Sequence, residues 1–183
     1  MGIKYLTGNI FESKCVNLIC PVTACGHATE GLQLEFLNHY KDLMQPYIVS
    51  SSIHRMNGCK GDWGLCAGGV VNCEHYVDEK HEQVDKRIFC LATRESYGDK
   101  ASLSNITSGL DLIEAHVRCN KWGSIAMPAI GLDEGISWDL VEPIVEKYFG
   151  NWPRLVEVYL PLELAQKKVD DRNRKNKANS QTE

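Results

Sequence analysis

Residues 124–138 read SIAMPAIGLDEGISW. An apolar run ends at Pro128, a loop with two glycines and two acidic residues follows, and Trp138 opens a stretch with apolar residues at helical spacing (Val141, Ile144, Val145, Tyr148). The segment therefore predicts a buried strand, a glycine loop and an amphipathic helix, in that order. In α/β proteins, loops of this kind lie at the carboxyl ends of strands, where ligands bind.

The same arrangement occurs earlier, where VNLICPV (16–22) leads through TACGHATEG (23–31) into another helical pattern. Free amides of such loops, and of the helix N-termini that follow them, can donate hydrogen bonds to an anion. Two neighbouring loops of this design could enclose a pyrophosphate. Spacing alone leaves the alternative that these glycines are turn residues, and the dinucleotide fingerprint of three close glycines after the first strand is absent.

The rest of the chain alternates strands and helices. Short β-type runs lie at residues 3–7, 16–22, 69–73, 87–93, 124–128 and 155–161. Helical stripes begin near Leu32, Ile106 and Val141. This alternation predicts an α/β fold with a mixed β-sheet sandwiched between helices, in which the opening strands form a hairpin-like pair and the middle strands another pair. Residues 50–85 are polar and irregular, so we expect surface loops around one short strand there.

One domain accounts for the length of the chain. With 183 residues and 43% hydrophobic residues, the sequence can build a single core, which we place in residues 1–162. Residues 163–183 lose apolar periodicity and gain mixed charge, which predicts a frayed helix leading into a disordered tail. We expect a monomer.

Charge and hydropathy limit the classes of partner. The net charge of -4 and an isoelectric point near 5.9 argue against a protein that binds nucleic acid mainly by neutralising phosphates. No run approaches the roughly 18–20 apolar residues that span a bilayer, and no signal peptide is recognised, so we expect no membrane contact and a cytoplasmic location. Most of the eight cysteines sit in or beside apolar segments, which predicts free thiols.

Five segments together resemble a known family. They are YLTGNIFES, LICPVTACGHATEGLQLEF, FCLATRESYGDKASLSNITSGLDLI, IAMPAIGLDEGISWDLVEPIVEKYF and VEVYLP, in that order. This series is similar to the macrodomains, over about residues 3–161. The resemblance is greatest to the branch of the terminal ADP-ribose glycohydrolases and the bacterial antitoxins that remove ADP-ribose from DNA. It implies a mixed sheet between helices and a cleft for ADP-ribose.

The resemblance also implies which residues contact the ligand. Asn9 and Ile10 fall where the family grips the adenine, with Asn9 in place of an acidic residue, and Tyr159 falls near the adenine. Thr93 falls at the strand end before Arg94. The first loop, which wraps the distal ribose in the family, contributes Thr23, Gly26, His27 and Gly31. The second loop, which encloses the diphosphate, contributes Gly131, Leu132, Gly135 and Ile136. A turn role for Asn9 and a core role for Tyr159 are the alternatives.

Departures from the family pattern bear on catalysis. Thr23 replaces an asparagine that positions the distal ribose, and Arg94 replaces the lysine that attacks the anomeric carbon in the nearest relatives. Arginine stays protonated and is not a usable nucleophile, although it can clamp a phosphate. Because the second loop is about one residue shorter than in the family, Asp133 and Glu134 are rivals for its acidic catalytic position. His27 is a further candidate, for proton shuttling.

No cofactor is predicted, and no metal. Cys59, Cys66, Cys73 and His75 are zinc-ligand residue types, but their spacing lacks the usual C-x-x-C. Our first hypothesis is a macrodomain that binds ADP-ribose or a derivative, as a reader or a weak enzyme. The alternative is a hydrolase that removes ADP-ribose from protein or nucleic acid, or phosphate from ADP-ribose 1''-phosphate. Nucleic acid then enters only as a modified substrate. A third class is a protein-interaction domain with a degenerate cleft.

Overall fold

The computed structural model describes residues 2–28, 31–57, 65–76, 84–119 and 123–167. Within these ranges the strands are β1 (Ile3–Leu6), β2 (Asn17–Thr23), β3 (Val70–Tyr76), β4 (Val84–Arg94), β5 (Ile125–Pro128) and β6 (Val156–Tyr159). The helices are α1 (Gly31–His39), α2 (Gln45–Asn57), α3 (Leu103–Cys119) and α4 (Trp138–Phe149), and residues 162–167 are also helical. All six predicted strands and the three predicted helices are confirmed.

The strands form one sheet in the order β1-β6-β5-β2-β4-β3. Every neighbouring pair is parallel except β3 and β4, so the sheet is mixed, as predicted. The predicted opening hairpin is wrong, because β1 pairs with β6 at the far edge and two strands separate it from β2. The parallel strands therefore all end at the same edge of the sheet, between the helices.

Two apolar layers cover the sheet. Residues alternate along β2, so that Leu18, Cys20 and Val22 face α1 and α2 while Ile19 faces α3 and α4. On the second face, α3 and α4 contribute the periodic residues that the sequence pattern identified: Ile106, Leu110, Ile113, Val117, Trp138, Val141, Val145 and Phe149. The seven described cysteines are free thiols, and five of them are buried: Cys25 and, within the first layer, Cys15, Cys20, Cys73 and Cys90.

Residues 50–57 correct the sequence reading, because they lie in α2 and not in a loop. Pro46 stands in the first turn of this helix, where its missing N–H costs no hydrogen bond. The expectation of loops also fails at Val84, where β4 already begins. The tail predicted from residue 163 begins inside the helical residues 162–167, where Leu164 and Ala165 pack against the α3 and α4 layer. Residues 168–183 lie outside the described residues.

Candidate functional site

A cleft runs along the edge of the sheet at which the parallel strands end. It has two connected parts, with volumes of about 380 and 460 Å³, which fall in the range of roughly 300–1,000 Å³ typical of small-molecule sites. We name them the Asn9 half and the Arg94 half. Four residues line both: Leu32, Pro128, Ala129 and Asp133. The cleft is therefore continuous from the end of β1 to the end of β4.

Asn9 stands at the entrance to a short 3-10 turn over Ile10–Glu12 and caps it. Its Oδ1 accepts a hydrogen bond of 3.0 Å from the backbone N–H of Phe11. Only an oxygen can accept from that N–H, so the orientation of the side-chain amide is fixed, and Nδ2 takes the other position. Asn9 therefore both caps a turn and lines the cleft, two roles that the sequence had left as alternatives.

Tyr159 lines the Asn9 half from the end of β6, and its hydroxyl is anchored. It donates to Glu157 Oε2 over 3.2 Å, and the Ser13 hydroxyl donates to the same oxygen over 2.8 Å. Burial raises the pKa of Tyr159, and the Glu157 carboxylate adds to the rise against the opposing effect of Ser13. The tyrosine is therefore neutral, with its ring against the cleft and its hydroxyl held by the strand.

The loop between β5 and α4 is built around a 3-10 turn over Leu132–Glu134. Gly131 and Gly135 flank this turn with φ of 81° and 85°, in the left-handed region that favours glycine. The N–H of Ile136 donates to the Gly131 carbonyl over 2.9 Å and closes the loop. This geometry turns the acidic pair sharply, so that the two carboxylates have different environments.

Glu134 is the buried member of that pair. Its Oε1 lies 3.5 Å from Arg94 Nε, and the two side chains are only 9% and 16% exposed. Its Oε2 is buried and has no hydrogen-bond partner. Burial raises the pKa of Glu134, while the Thr93 hydroxyl and the Arg94 guanidinium oppose that rise. Glu134 thus brings to the cleft lining a carboxylate of which one oxygen is buried and unpartnered.

Asp133, by contrast, is exposed, although it lines both halves of the cleft. Of the two candidate carboxylates, Glu134 is therefore buried beside Arg94, whereas Asp133 is exposed to solvent. Arg94 is also held from a second side, because its Nη1 donates to the Asp99 carbonyl over 3.2 Å and its guanidinium lies 5.5 Å from the centre of the Tyr97 ring.

The loop after β2 is fixed by buried hydrogen bonds. The hydroxyl of Thr23, which is fully buried, donates to the His27 carbonyl over 3.0 Å, and the N–H of Thr23 donates to Gln33 Oε1 over 3.1 Å. His27 itself is exposed and lines the Arg94 half, with its Nδ1 3.5 Å from the Cys25 sulfur. The lone histidine of the sequence therefore has a thiol neighbour. Burial alone would raise the pKa of Cys25, but hydrogen bonds to its sulfur, of which the one from the His27 backbone has the largest effect, lower it overall.

The predicted site residues separate into two groups. Lining the cleft are Asn9, Ile10, His27, Gly31, Arg94, Gly131, Asp133, Glu134 and Tyr159. Outside its lining, within the described part of the chain, are Thr23, Gly26, Thr93, Leu132, Gly135 and Ile136. Thr93 is fully buried and bonds to the Val22 carbonyl over 3.3 Å. For this second group the structure shows a supporting position, and direct ligand contact stays a prediction.

Sequence reasoning missed several lining residues, among them Phe11, Gln33, Glu35, Tyr97 and Gly98. The motif SYG after Arg94 carried a turn signal that would have placed Tyr97 and Gly98 beside the cleft.

Among the residues that the structure describes, no group of three or more His, Cys, Asp and Glu side chains is arranged to hold a metal ion. Cys59 lies outside those residues, and no helix among them is long and apolar enough to cross a bilayer.

Known proteins provide an independent comparison. No family model matches the chain. A DNA ADP-ribosyl transferase-DNA ADP-ribosyl glycohydrolase fusion protein of Thermosipho africanus is 23% identical over 171 residues, which cover 88% of this chain and 42% of that protein. The chain thus spans less than half the length of this relative.

Solved structures give a likeness of fold. The macrodomain of Thermus aquaticus DarG has a TM-score of 0.72 at 19% identity, with 87% of this chain and 98% of that chain covered. The macrodomain of Mycobacterium tuberculosis DarG has a TM-score of 0.68 at 21% identity, over 87% and 97% of the two chains. Thermosipho africanus DarTG in complex with ADP-ribose has a TM-score of 0.71 at 21% identity, over 88% and 42%. The chain therefore has the macrodomain fold.

Proposed function

We propose that this chain, which has the macrodomain fold, binds ADP-ribose or an ADP-ribosyl group in the two-part cleft. The adenine occupies the Asn9 half, and the diphosphate and the distal ribose occupy the Arg94 half. The observation that carries the proposal is the continuity of the cleft between a half lined by an amide and an aromatic ring and a half lined by two glycine loops and an arginine. A solved structure of similar fold is described as a complex with ADP-ribose.

The Asn9 half suits a purine. A fixed carboxamide offers a donor and, through the second lone pair of Oδ1, an acceptor, which is the pattern that reads the adenine edge. Tyr159 adds an aromatic ring to the lining of the Asn9 half, and Ile10, which is 4% exposed, adds an apolar side chain.

The Arg94 half suits a diphosphate because helix α1 begins in its lining, at Gly31. Helix N-termini present free amides and a partial positive charge to an anion. Gly31 has open space within 4 Å of the position that a Cβ would take, so the backbone can approach a ligand closely. Arg94 adds a guanidinium on the same side.

Calorimetric titration with ADP-ribose tests the proposal. We expect a Kd of roughly micromolar order, about -8 kcal/mol. Arg94→Ala should weaken binding by about tenfold, because a charge-assisted contact contributes roughly 1.5–3 kcal/mol. Arg118→Ala is the matched control, since Arg118 lies on α3 with its side chain 59% exposed and away from the cleft lining. No binding by the parent, or equal effects of the two variants, would refute the assignment of the cleft.

A hydrolase is the second candidate, and the buried, unpartnered Oε2 of Glu134 favours it. In this reading Glu134 accepts a proton from a water molecule while the water oxygen bonds to the anomeric carbon of the distal ribose. The bond from that carbon to the target group breaks, and the leaving group takes up a proton. Arg94 stays a cation throughout and forms no covalent intermediate. With ADP-ribose 1''-phosphate as the substrate, the same pair would assist loss of phosphate.

The location and the assembly state are part of the proposal. The free thiols of the described cysteines fit a reducing compartment, for which we propose the cytoplasm. We propose a monomer that acts on an ADP-ribosylated macromolecule. Size-exclusion chromatography with light scattering would test the assembly state, and a mass of twice 20.6 kDa would contradict it.

A further inference from the structure

Helix α2 presents a polar stripe to the loops of the Arg94 half. Tyr47, Ser51, His54 and Arg55 are spaced at i, i+4, i+7 and i+8, so they share one face of the helix. Tyr47, Ser51 and His54 are 1%, 2% and 6% exposed. A buried helix face of this composition does not follow from the need for an apolar core, because polar groups lose free energy on burial unless they are paired.

Three members of the stripe contact the loop after β2. Arg55 Nη1 donates to the Cys25 carbonyl over 2.6 Å, and its Nη2 is fixed by the Ser52 hydroxyl over 2.9 Å. Ser51 packs so closely that a Cβ on Gly26 would lie 2.3 Å from its Oγ. Tyr47 donates to the Thr23 carbonyl over 2.9 Å at the start of the same loop.

The fourth member, His54, contacts the loop after β4. His54 Nε2 lies 2.5 Å from Glu95 Oε1, next to the lining residue Arg94 and near Tyr97 and Gly98. The two loops are also joined to each other, because the N–H of Cys25 donates to the Glu95 carbonyl over 3.0 Å. Helix α2 thus contacts both walls of the Arg94 half from outside the cleft.

We infer that His54 and Arg55 are positioning residues, which set the separation of the two loops that receive the diphosphate and the distal ribose. The inference rests on the proposed function. It concerns binding more than stability, because Glu95 is 46% exposed and an ion pair with an exposed partner contributes only about 0–1 kcal/mol to folding. The same contact fixes the backbone beside Arg94, where a small displacement moves the groups that meet the ligand.

The cleft's two halves make a selective test available. ADP-ribose fills both halves, whereas AMP fills the Asn9 half and reaches the other only through one phosphate. We expect Glu95→Ala and Arg55→Ala to weaken ADP-ribose binding by about tenfold, the loss for one charge-assisted contact, and AMP binding by less than about twofold. Glu95 is 46% exposed, so Glu95→Ala should change the thermal midpoint by no more than about 4 °C, which corresponds to roughly 1 kcal/mol.

Conservative variants sharpen the test. Glu95→Gln keeps an oxygen for the imidazole, and Arg55→Lys keeps one donor for the Cys25 carbonyl, so each should recover part of the lost affinity. Met56→Ala is the matched control, because Met56 follows Arg55 on the same helix and is 82% exposed. Its affinities for both ligands should equal those of the parent.

Three results would overturn the inference. They are equal losses for AMP and ADP-ribose, no loss for either, and no recovery by the conservative variants. Failure of the proposed function is a separate result, since the parent itself would then show no binding of ADP-ribose.

Discussion

Replacing Glu134 by glutamine separates a binding protein from a hydrolase. Glutamine has the same shape as glutamate, and it retains an oxygen for the contact that now joins Oε1 to Arg94 Nε at 3.5 Å. What it loses is the ability to take up and release a proton. The side chain is 9% exposed and one of its oxygens has no partner, so the substitution changes the chemistry of a defined point on the cleft wall.

The magnitude follows from the role assigned to the carboxylate. A positioned general acid or base contributes roughly 10²–10⁴-fold to a rate, so we expect turnover to fall by that factor. ADP-ribose affinity should change by less than about threefold, because no charge-assisted contact to the ligand is removed. Asp133→Asn is the matched control, since Asp133 is exposed on the same turn, and its turnover should stay within about threefold of the parent.

Stability provides a second readout with a definite sign. Burial raises the pKa of Glu134 above its value in the unfolded chain. The folded state therefore holds the proton more tightly, and the stability contributed by this group is present below the unfolded pKa and lost as the pH rises through the folded pKa. Glutamine does not ionise. We compare the stability of Glu134→Gln with that of the parent by thermal unfolding at pH 4 and at pH 7. The difference should favour the variant more at pH 7 than at pH 4.

The assay is release of ADP-ribose from ADP-ribosylated oligonucleotide and protein, and of phosphate from ADP-ribose 1''-phosphate, with calorimetry in parallel. Turnover by the parent that survives Glu134→Gln would refute the role of this carboxylate. Turnover abolished by Asp133→Asn instead would transfer that role to the exposed residue. Tight binding without turnover in the parent would leave the reader function and exclude the hydrolase.

Three further predictions follow from single contacts. Tyr159→Phe should weaken ADP-ribose binding by about threefold in calorimetry, because the ring stays but the hydroxyl that donates to Glu157 is lost, a neutral hydrogen bond worth about 0.5–1.5 kcal/mol; an unchanged Kd would show that the anchor is irrelevant. Gly26→Ala should lower the thermal midpoint by at least about 4 °C more than Gly98→Ala, since both have positive φ but only the first Cβ meets a neighbour, at 2.3 Å; equal midpoints would contradict the packing of α2. Removing residues 168–183 should leave the midpoint unchanged, whereas removal from residue 162 should lower it by several degrees through loss of Leu164 and Ala165; equal midpoints of the two truncated chains would refute this.

Elements that bury a continuous apolar face were predictable from the sequence. The apolar run that ends at Pro128 predicts the strand β5, and the apolar stripe from Val141 predicts the helix α4. Both predictions succeed because the apolar positions in the sequence are the positions that each element buries. The edge of the sheet at which the cleft-lining loops lie was predictable for the same reason, because the parallel strands all end there.

Three features were not predictable from the local sequence pattern. The inner face of α2 carries Ser51 and His54 where a core helix carries apolar residues, so its periodicity is hidden, and only contacts with distant loops explain its burial. The strand order places β1 beside β6, a pairing between residues about 150 positions apart that no short-range signal encodes. The choice between Asp133 and Glu134 likewise depends on a turn geometry, set by two left-handed glycines, that adjacent sequence positions do not reveal.

The fixed positive charge of Arg94 accounts for how the buried carboxyl group of Glu134 can ionise. The Glu134 side chain is only 9% exposed, and a carboxylate so buried needs a nearby positive charge if it is to ionise. The lysine that the resemblance leads one to expect at position 94 would have to lose its proton to attack a sugar, so it could not supply that charge at the same time. Arginine can, because its guanidinium stays protonated and is fixed here by the Asp99 carbonyl and the Tyr97 ring. With arginine at position 94, the cleft keeps an ionisable carboxylate but has no lysine nucleophile there, so the route that we propose for any hydrolysis is a water molecule activated by Glu134.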